Sequence, residues 1–176
     1  MNTTVLHRIL EYTAHSSIND AANAGNLRGI KYLRKQGQTW DESMCVFAAY
    51  NGHLDCLKYA HEHGLLDGWT EVVCLCAATG GHLDCLKYVH EHGCPWDKWT
   101  CSYAARDGHL DCLRYAHENG CPWDEETCQF AASRGHLECL KYLRENGCPW
   151  NQDTYKNADL ACKKYMESQG FQSYRV

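Results

Sequence analysis

The chain has 176 residues, of which 44% are hydrophobic, so it is long and apolar enough for one domain with a sizeable core. Its formal charge of −5 argues against nucleic acid and against an acidic membrane surface as partners, because phosphate groups need a basic face. Thirteen cysteines, an odd number without a C-x-x-C pair, argue against a disulfide framework. The N-terminal residues contain no apolar run long enough for a signal peptide or a membrane span, so we expect a reducing cytoplasm or nucleus.

The first predicted element is a short amphipathic helix over residues 3–15. Thr3 or Thr4 is a candidate N-cap, and apolar residues follow at helical spacing. We therefore expect residues 1–17 to form an N-terminal capping helix.

A similar stretch then recurs five times, over residues 18–147. Its two clearest copies, TCSYAARDGHLDCLRYAHENGCPW at 100–123 and TCQFAASRGHLECLKYLRENGCPW at 127–150, are 27 residues apart. The linker after Gly64 carries two extra residues, and residues 148–176 form a shortened C-terminal capping repeat. Self-similarity at such a period predicts a solenoid, so residues 1–176 are interpreted as a single repeat domain.

Each copy predicts two short antiparallel helices. The first helix begins after an Asp or Asn that follows Trp, and such residues are good N-caps: Asp41, Asp97, Asp124 and Asn151. It ends at a glycine such as Gly108, where a positive φ costs least. In the second helix of residues 53–64, Cys56 and Leu57 fall within an apolar arc opposite a charged one. Neither helix can bury its apolar face alone, so the units must stack.

The copies resemble the ankyrin repeat. The family pattern T-P-L-H-x-A-A-x-x-G-H, followed by an apolar helix and a glycine, is matched at Thr100, Ala104, Ala105, Gly108, His109, Leu110, Leu113 and Gly120. The period of 27 is shorter than the family's roughly 33 residues, and Cys94-Pro95-Trp96 leaves no room for the usual hairpin finger. The resemblance implies an all-α, ankyrin-like helical-repeat solenoid lacking most β-hairpin fingers. The G-C-P-W-D subtype is similar to ankyrin proteins encoded by giant viruses such as pandoraviruses, which would place the chain in host cytoplasm or nucleus.

Most cysteines fall into three columns, each recurring about once per repeat. They are Cys45, Cys74, Cys101 and Cys128 on first helices; Cys56, Cys85, Cys112, Cys139 and Cys162 on second helices; and Cys94, Cys121 and Cys148 in loops. A zinc site needs four ligands at short local spacing, whereas equivalent sulfurs one repeat apart are separated by about 10 Å. We therefore expect buried, reduced cysteines and no metal, with a Cys-rich metal- or redox-responsive module as the alternative.

The histidines invite a zinc hypothesis too. His61 and His63, two residues apart on one helix, point about 200° from each other and cannot chelate together. The column of His53, His82, His109 and His136 resembles the ankyrin histidine that bonds backbone at the turn between helices. The tryptophans at 40, 96, 123 and 150 are interpreted as staples between units, whereas Trp69 and Trp99 fall outside that column.

The resemblance implies a non-catalytic, monomeric scaffold that needs no cofactor and binds another protein, not nucleic acid or membrane, on a concave surface. In ankyrin repeats the residues after Ala-Ala and those before the Thr carry specificity. On this chain they are Tyr50, Asn51, Thr79, Gly80, Lys98, Trp99, Arg106, Asp107, Glu125, Glu126, Ser133 and Arg134. These positions differ between otherwise similar copies, as expected of a varied binding surface or of solvated positions that drift. A substrate adaptor for ubiquitination is a further alternative, although no F-box-like segment is visible.

Overall fold

The computed structural model describes residues 17–65 and 69–172, and all regular secondary structure within these ranges is helical. The helices follow one another as antiparallel pairs, one pair per repeat unit. They are α1 (Ile18–Asn23), α2 (Leu27–Lys35), α3 (Glu42–Tyr50), α4 (Leu54–Glu62), α5 (Glu71–Thr79), α6 (Leu83–Glu91), α7 (Lys98–Arg106), α8 (Leu110–Glu118), α9 (Glu125–Ser133), α10 (Leu137–Glu145), α11 (Gln152–Asn157) and α12 (Leu160–Ser168). The prediction of an all-α repeat solenoid is confirmed. The predicted N-terminal capping helix falls almost wholly on residues 1–16, outside the described residues.

The first helix of most units starts at a side-chain cap. Asp41, Asp97 and Asp124 each accept a hydrogen bond from the backbone N–H two residues later, at 2.9–3.1 Å. Asn151 accepts one from the N–H of Thr154 at 3.0 Å. Before α5 the cap position is Thr70, whose hydroxyl donates instead to a carboxylate of the preceding unit. The capping residues predicted from the sequence therefore begin these helices.

The glycine–histidine signature forms a joint between neighbouring units. Gly108 ends the turn after α7 with φ +81°, and a Cβ built on it would lie 2.5 Å from Nδ1 of His136 in the next unit. At the first such joint, the Nε2 atom of His53 lies 3.1 Å from the carbonyl oxygen of Asn23 in the unit before. In the last unit Asp159 takes the place of the histidine. We call this contact the glycine–histidine joint.

The alanine pairs set the spacing of the first helices. Ala48 and Ala49 in α3 are fully buried, as are Ala104 and Ala105 in α7, and such small side chains allow neighbouring helices to approach closely. The first helices consequently pack against one another more closely than the second helices do. The stack therefore curves, with the first helices on its inner side. Leucines of the second helices, such as Leu113, fill the layer between the two rows and are fully buried.

The loops between units are short. In the described part of the chain no strand forms around Cys94–Trp96 or its equivalents, so the predicted reduction of the hairpin fingers to tight loops is confirmed. Among the residues described, no helix is both long and apolar enough to span a bilayer.

Candidate protein-binding surface

The exposed side of each first helix carries side chains that stacking does not require. In α7 these are Trp99, Tyr103 and Arg106, each half-buried, at the i, i+4 and i+7 spacing of one helix face. Ala104 and Ala105 point the other way and are fully buried. The exposed sides of α3, α5, α7 and α9 together line the inner side of the curve, and we call them the first-helix face.

An aromatic cluster occupies the centre of the first-helix face. The ring centroids of Trp99 and Tyr103 are 6.1 Å apart in an edge-on arrangement, and Tyr103 lies 6.3 Å from Phe130 of the next unit. The guanidinium carbon of Arg106 lies 4.0 Å from the centroid of Tyr103. These contacts join α7 to α9 in one patch of aromatic surface with a cation on its edge.

Apolar side chains extend this surface towards the N-terminal units. Phe47 and Tyr50 on α3 are 40% and 51% exposed, and Val72 on α5 is 40% exposed. These three belong to the five large hydrophobic residues that stand out as exposed among the described residues. Because no packing within the solenoid requires large apolar groups at these places, the face is available for a partner.

The cations of the first-helix face are held in place by acidic neighbours. Arg106 donates two hydrogen bonds to Asp107, of 2.8 and 3.0 Å, and this contact raises the pKa of the guanidinium. Lys98 donates to Asp124 at 2.7 Å and to Glu126 at 3.0 Å, and these bonds raise the pKa of its ammonium group. The Lys98 ammonium also lies 4.8 Å from the ring of Trp99. Both cations thus lie beside aromatic rings and are paired with carboxylates.

Several other predicted site residues bond to their own scaffold. The amide of Asn51 donates to the side chain of Asn23 at 3.1 Å, and the hydroxyls of Thr79 and Ser133 donate to carbonyls of their own helices. Arg134 is exposed beyond the end of α9. The structure thus brings Lys98, Arg106 and Asp107 beside the aromatic cluster, to which Trp99 itself belongs. It does not join the remaining predicted residues to that cluster by any contact described above.

One column of this surface was missed by the sequence interpretation. Phe47, Tyr103 and Phe130 directly precede the alanine pairs, and Cys76 stands at the same position of α5. The signal was present, because this position differs between otherwise similar copies. The ankyrin pattern assigns specificity only to positions after the alanines and before the threonine, so it does not include this column.

On the opposite side, histidines of the second helices join neighbouring units. His117 stacks on Trp123 with ring centroids 3.6 Å apart, and its Nδ1 atom lies 3.0 Å from the hydroxyl of Tyr142. His90 makes the same contacts one unit earlier. Burial lowers the pKa of His90 and His117. These histidines are packing elements, and their tryptophans act as the staples that the sequence predicts.

The position of Trp69 corrects the sequence interpretation. Its ring lies 4.8 Å from His61, so it occupies in its unit the place that Trp96 and Trp123 occupy in theirs. Trp69 also stands 27 residues before Trp96, the same step that separates Trp96 from Trp123, so it belongs to the tryptophan column. His61 also comes within 4.7 Å of His92, measured between ring centroids. Even so, no group of three or more metal-ligating side chains could be found among residues 17–65 and 69–172.

The second-helix cysteines behave as small apolar core residues. Cys56, Cys85, Cys112 and Cys139 are each 1% exposed. Burial raises their pKa, to about 12 for Cys112 and to about 11 for the other three. At neutral pH these thiols are therefore protonated and poor nucleophiles.

Comparison with known proteins identifies the repeat. The family model described as "Ankyrin repeats (many copies)" matches residues 45–90 and 101–144, together just over half of the chain. The crystal structure of the human ASB11 ankyrin repeat domain superposes with a TM-score of 0.74 at 18% identity, covering 92% of this chain and 86% of that one. Among curated proteins, none matches the sequence. On the strength of the family match, this chain belongs to the ankyrin repeat family.

Proposed function

We propose that this chain is a non-catalytic scaffold that binds a partner protein through the first-helix face. Ankyrin repeats are in general protein–protein interaction modules, and the family is typically non-catalytic. An extended repeat stack presents a continuous surface whose side chains can change without disturbing the core.

The observation that carries the proposal is the aromatic cluster of Trp99, Tyr103 and Phe130. Tryptophan, tyrosine and arginine are the residues most enriched at interface hot spots, and Trp99, Tyr103 and Arg106 are all partly accessible to solvent. Trp99 occurs at its position in one unit only, where other units have Ser43, Val72 or Glu126, so stacking does not require it. Arg106 is already fixed by Asp107, so little side-chain entropy would be lost when a partner contacts it.

The proposal is tested by Trp99→Ala and Arg106→Ala. Proteins enriched from relevant cells on the wild-type chain are identified, and the affinity of the purified partner is then measured for each variant. Each substitution should weaken binding by more than about 1 kcal/mol, the usual hot-spot threshold. The thermal unfolding curve should stay unchanged, because neither side chain is fully buried.

Asp55→Ala and Glu62→Ala supply the matched control, since both residues are exposed on the outer side of α4. These variants should bind the partner as the wild type does. Full affinity in the Trp99→Ala/Arg106→Ala double variant would place the interface elsewhere, and a loss in the α4 variants would place it on the outer side.

We also infer that the scaffold acts as a monomer in a reducing compartment. The odd number of cysteines, without a C-x-x-C pair, is what supports a reducing environment. The likeness to the short repeats of giant-virus proteins stays a prediction, because the matching family model describes ankyrin repeats in general.

A further inference from the structure

Cysteines that belong to different columns meet in three of the units. The sulfur of a unit's helix cysteine lies 3.8–3.9 Å from the backbone carbonyl oxygen of the loop cysteine found 20 residues later. The three contacts are Cys74 with Cys94, Cys101 with Cys121, and Cys128 with Cys148. Comparing equivalent cysteines one repeat apart could not reveal these pairs, because each joins the start of the first helix to the loop after the second. We call them the dithiol pairs.

Each dithiol pair is set among backbone carbonyl oxygens. In the central pair the Cys101 sulfur lies 3.8 Å from the carbonyl oxygen of Cys121, and the Cys121 thiol donates to the carbonyl of Asp97 at 3.1 Å. The other two pairs repeat this geometry, with loop thiols 3.2 Å from the corresponding carbonyls. Carbonyl oxygens favour neutral sulfur over two adjacent thiolates, so the surroundings suit a dithiol or a disulfide better than a metal ion.

We propose that the dithiol pairs are three reversible redox sites, each closing to an intra-unit disulfide by exchange with a small disulfide such as oxidised glutathione. The loop thiolate attacks one sulfur of the small disulfide, and one glutathione thiolate leaves. The helix thiolate then attacks the loop sulfur of the mixed disulfide, and the second glutathione leaves. Two protein thiols are oxidised, one small disulfide is reduced to two thiols, and the two protein protons end on glutathione.

The loop cysteine is the group that meets the oxidant first. Cys121 is 3% exposed, but its neighbours Gly120 and Pro122 are exposed, so opening one short surface loop uncovers it. Contact with the Cys101 thiol also lowers the pKa of Cys121, as contact with Cys74 lowers that of Cys94. The helix cysteine, fully buried beside it, then serves as the resolving thiol.

Other cysteines of the same chain serve as controls for the dithiol pairs. In the second unit Leu65 stands where later units have the loop cysteine, so Cys45 lacks such a partner in its own unit. The second-helix cysteines, such as Cys112, are equally buried, and no hydrogen bond to a neighbouring thiol contributes to their raised pKa. Neither class should form disulfides under conditions that close the dithiol pairs.

The test is disulfide mapping of the full chain. Protein purified under reducing conditions is incubated with oxidised glutathione, free thiols are alkylated, and peptides are analysed by mass spectrometry. The expected result is three cross-links, Cys74–Cys94, Cys101–Cys121 and Cys128–Cys148, which dithiothreitol reverses. Thirteen reduced cysteines, glutathione adducts without cross-links, or cross-links that involve Cys45 or Cys112 would overturn the proposal.

A variant tests the order of attack. In Cys101→Ala the resolving thiol is missing, so Cys121 should accumulate as a glutathione mixed disulfide while the other two pairs close. Cys112→Ala, which removes an equally buried thiol, should leave all three cross-links unchanged. Equal adduct formation at Cys121 in both variants would refute the assigned roles. If Cys101→Ala does not fold, the mapping of the wild-type chain alone decides the proposal.

Discussion

Substituting Gly108 by alanine should destabilise the protein in two ways. The alanine strains the backbone, and its Cβ disturbs the contact with the next unit. Gly108 belongs to a glycine–histidine joint, and an alanine Cβ there would lie 2.5 Å from the imidazole of His136. Gly120 has a similar positive φ, of +88° against +81°, but a Cβ on it would meet nothing within 4 Å. The two glycines therefore share the backbone strain and differ only in the contact with the next unit.

The expected losses in the free energy of unfolding follow from the backbone strain and from the contact with His136. Placing alanine in the left-handed region costs about 1 to 2 kcal/mol, and Gly120→Ala should lose that much stability. Gly108→Ala should lose the same amount plus about 1 to 3 kcal/mol, because the ring of His136 must be displaced from a closely packed interface. The free energy of unfolding of Gly108→Ala should thus fall clearly below that of its control.

The assay is urea unfolding followed by far-ultraviolet circular dichroism, which reports helix content. A double-mutant cycle with His136→Ala supplies the second readout, because removing the ring should relieve most of the additional cost of Gly108→Ala. Equal destabilisation by Gly108→Ala and Gly120→Ala would refute the reasoning. So would a cycle without coupling between positions 108 and 136.

Two further predictions concern pH and the core. The melting temperature should be constant between pH values of about 6.5 and about 8 and fall below that range, because burial lowers the pKa of His90 and His117 and the unfolded chain then takes up protons first. A pH series of melting curves checks this, and the His90→Gln/His117→Gln variant should show a shallower fall; an unchanged melting temperature down to acidic pH would contradict it. Cys112→Ala should lose about 1 to 2 kcal/mol in urea unfolding through a small cavity, and a stability equal to the wild type would show that the site collapses without cost.

Local signals predicted much of the fold. The caps at Asp97 and Asp124 and the glycine at 108 act within a few residues, so their roles can be inferred from the sequence alone. Stacking could be predicted as well, because two short amphipathic helices cannot bury their apolar faces without neighbours.

What could not be predicted depends on contacts between sequence columns. Cys101 and Cys121 meet because the helices of a unit are antiparallel and the loop returns to its base. The aromatic cluster spans two units, so Tyr103 and Phe130 become one surface only when the units are stacked.

The glycine–histidine joint also bears on how such a chain can change in length. Each interior unit presents a left-handed glycine to the unit after it and a histidine to the unit before it, as Gly108 and His136 do. A tandem gene duplication that inserts one whole unit therefore creates no interface of a new kind. At the equivalent of that glycine in the last unit stands Ala158, with φ −65° and ψ 149° and a Cβ of its own. If a unit were added directly after Ala158, its histidine would meet an alanine in place of the glycine, and the glycine–histidine joint could not form. Inserting a unit in the interior therefore preserves the stack, whereas extending the chain at this point does not.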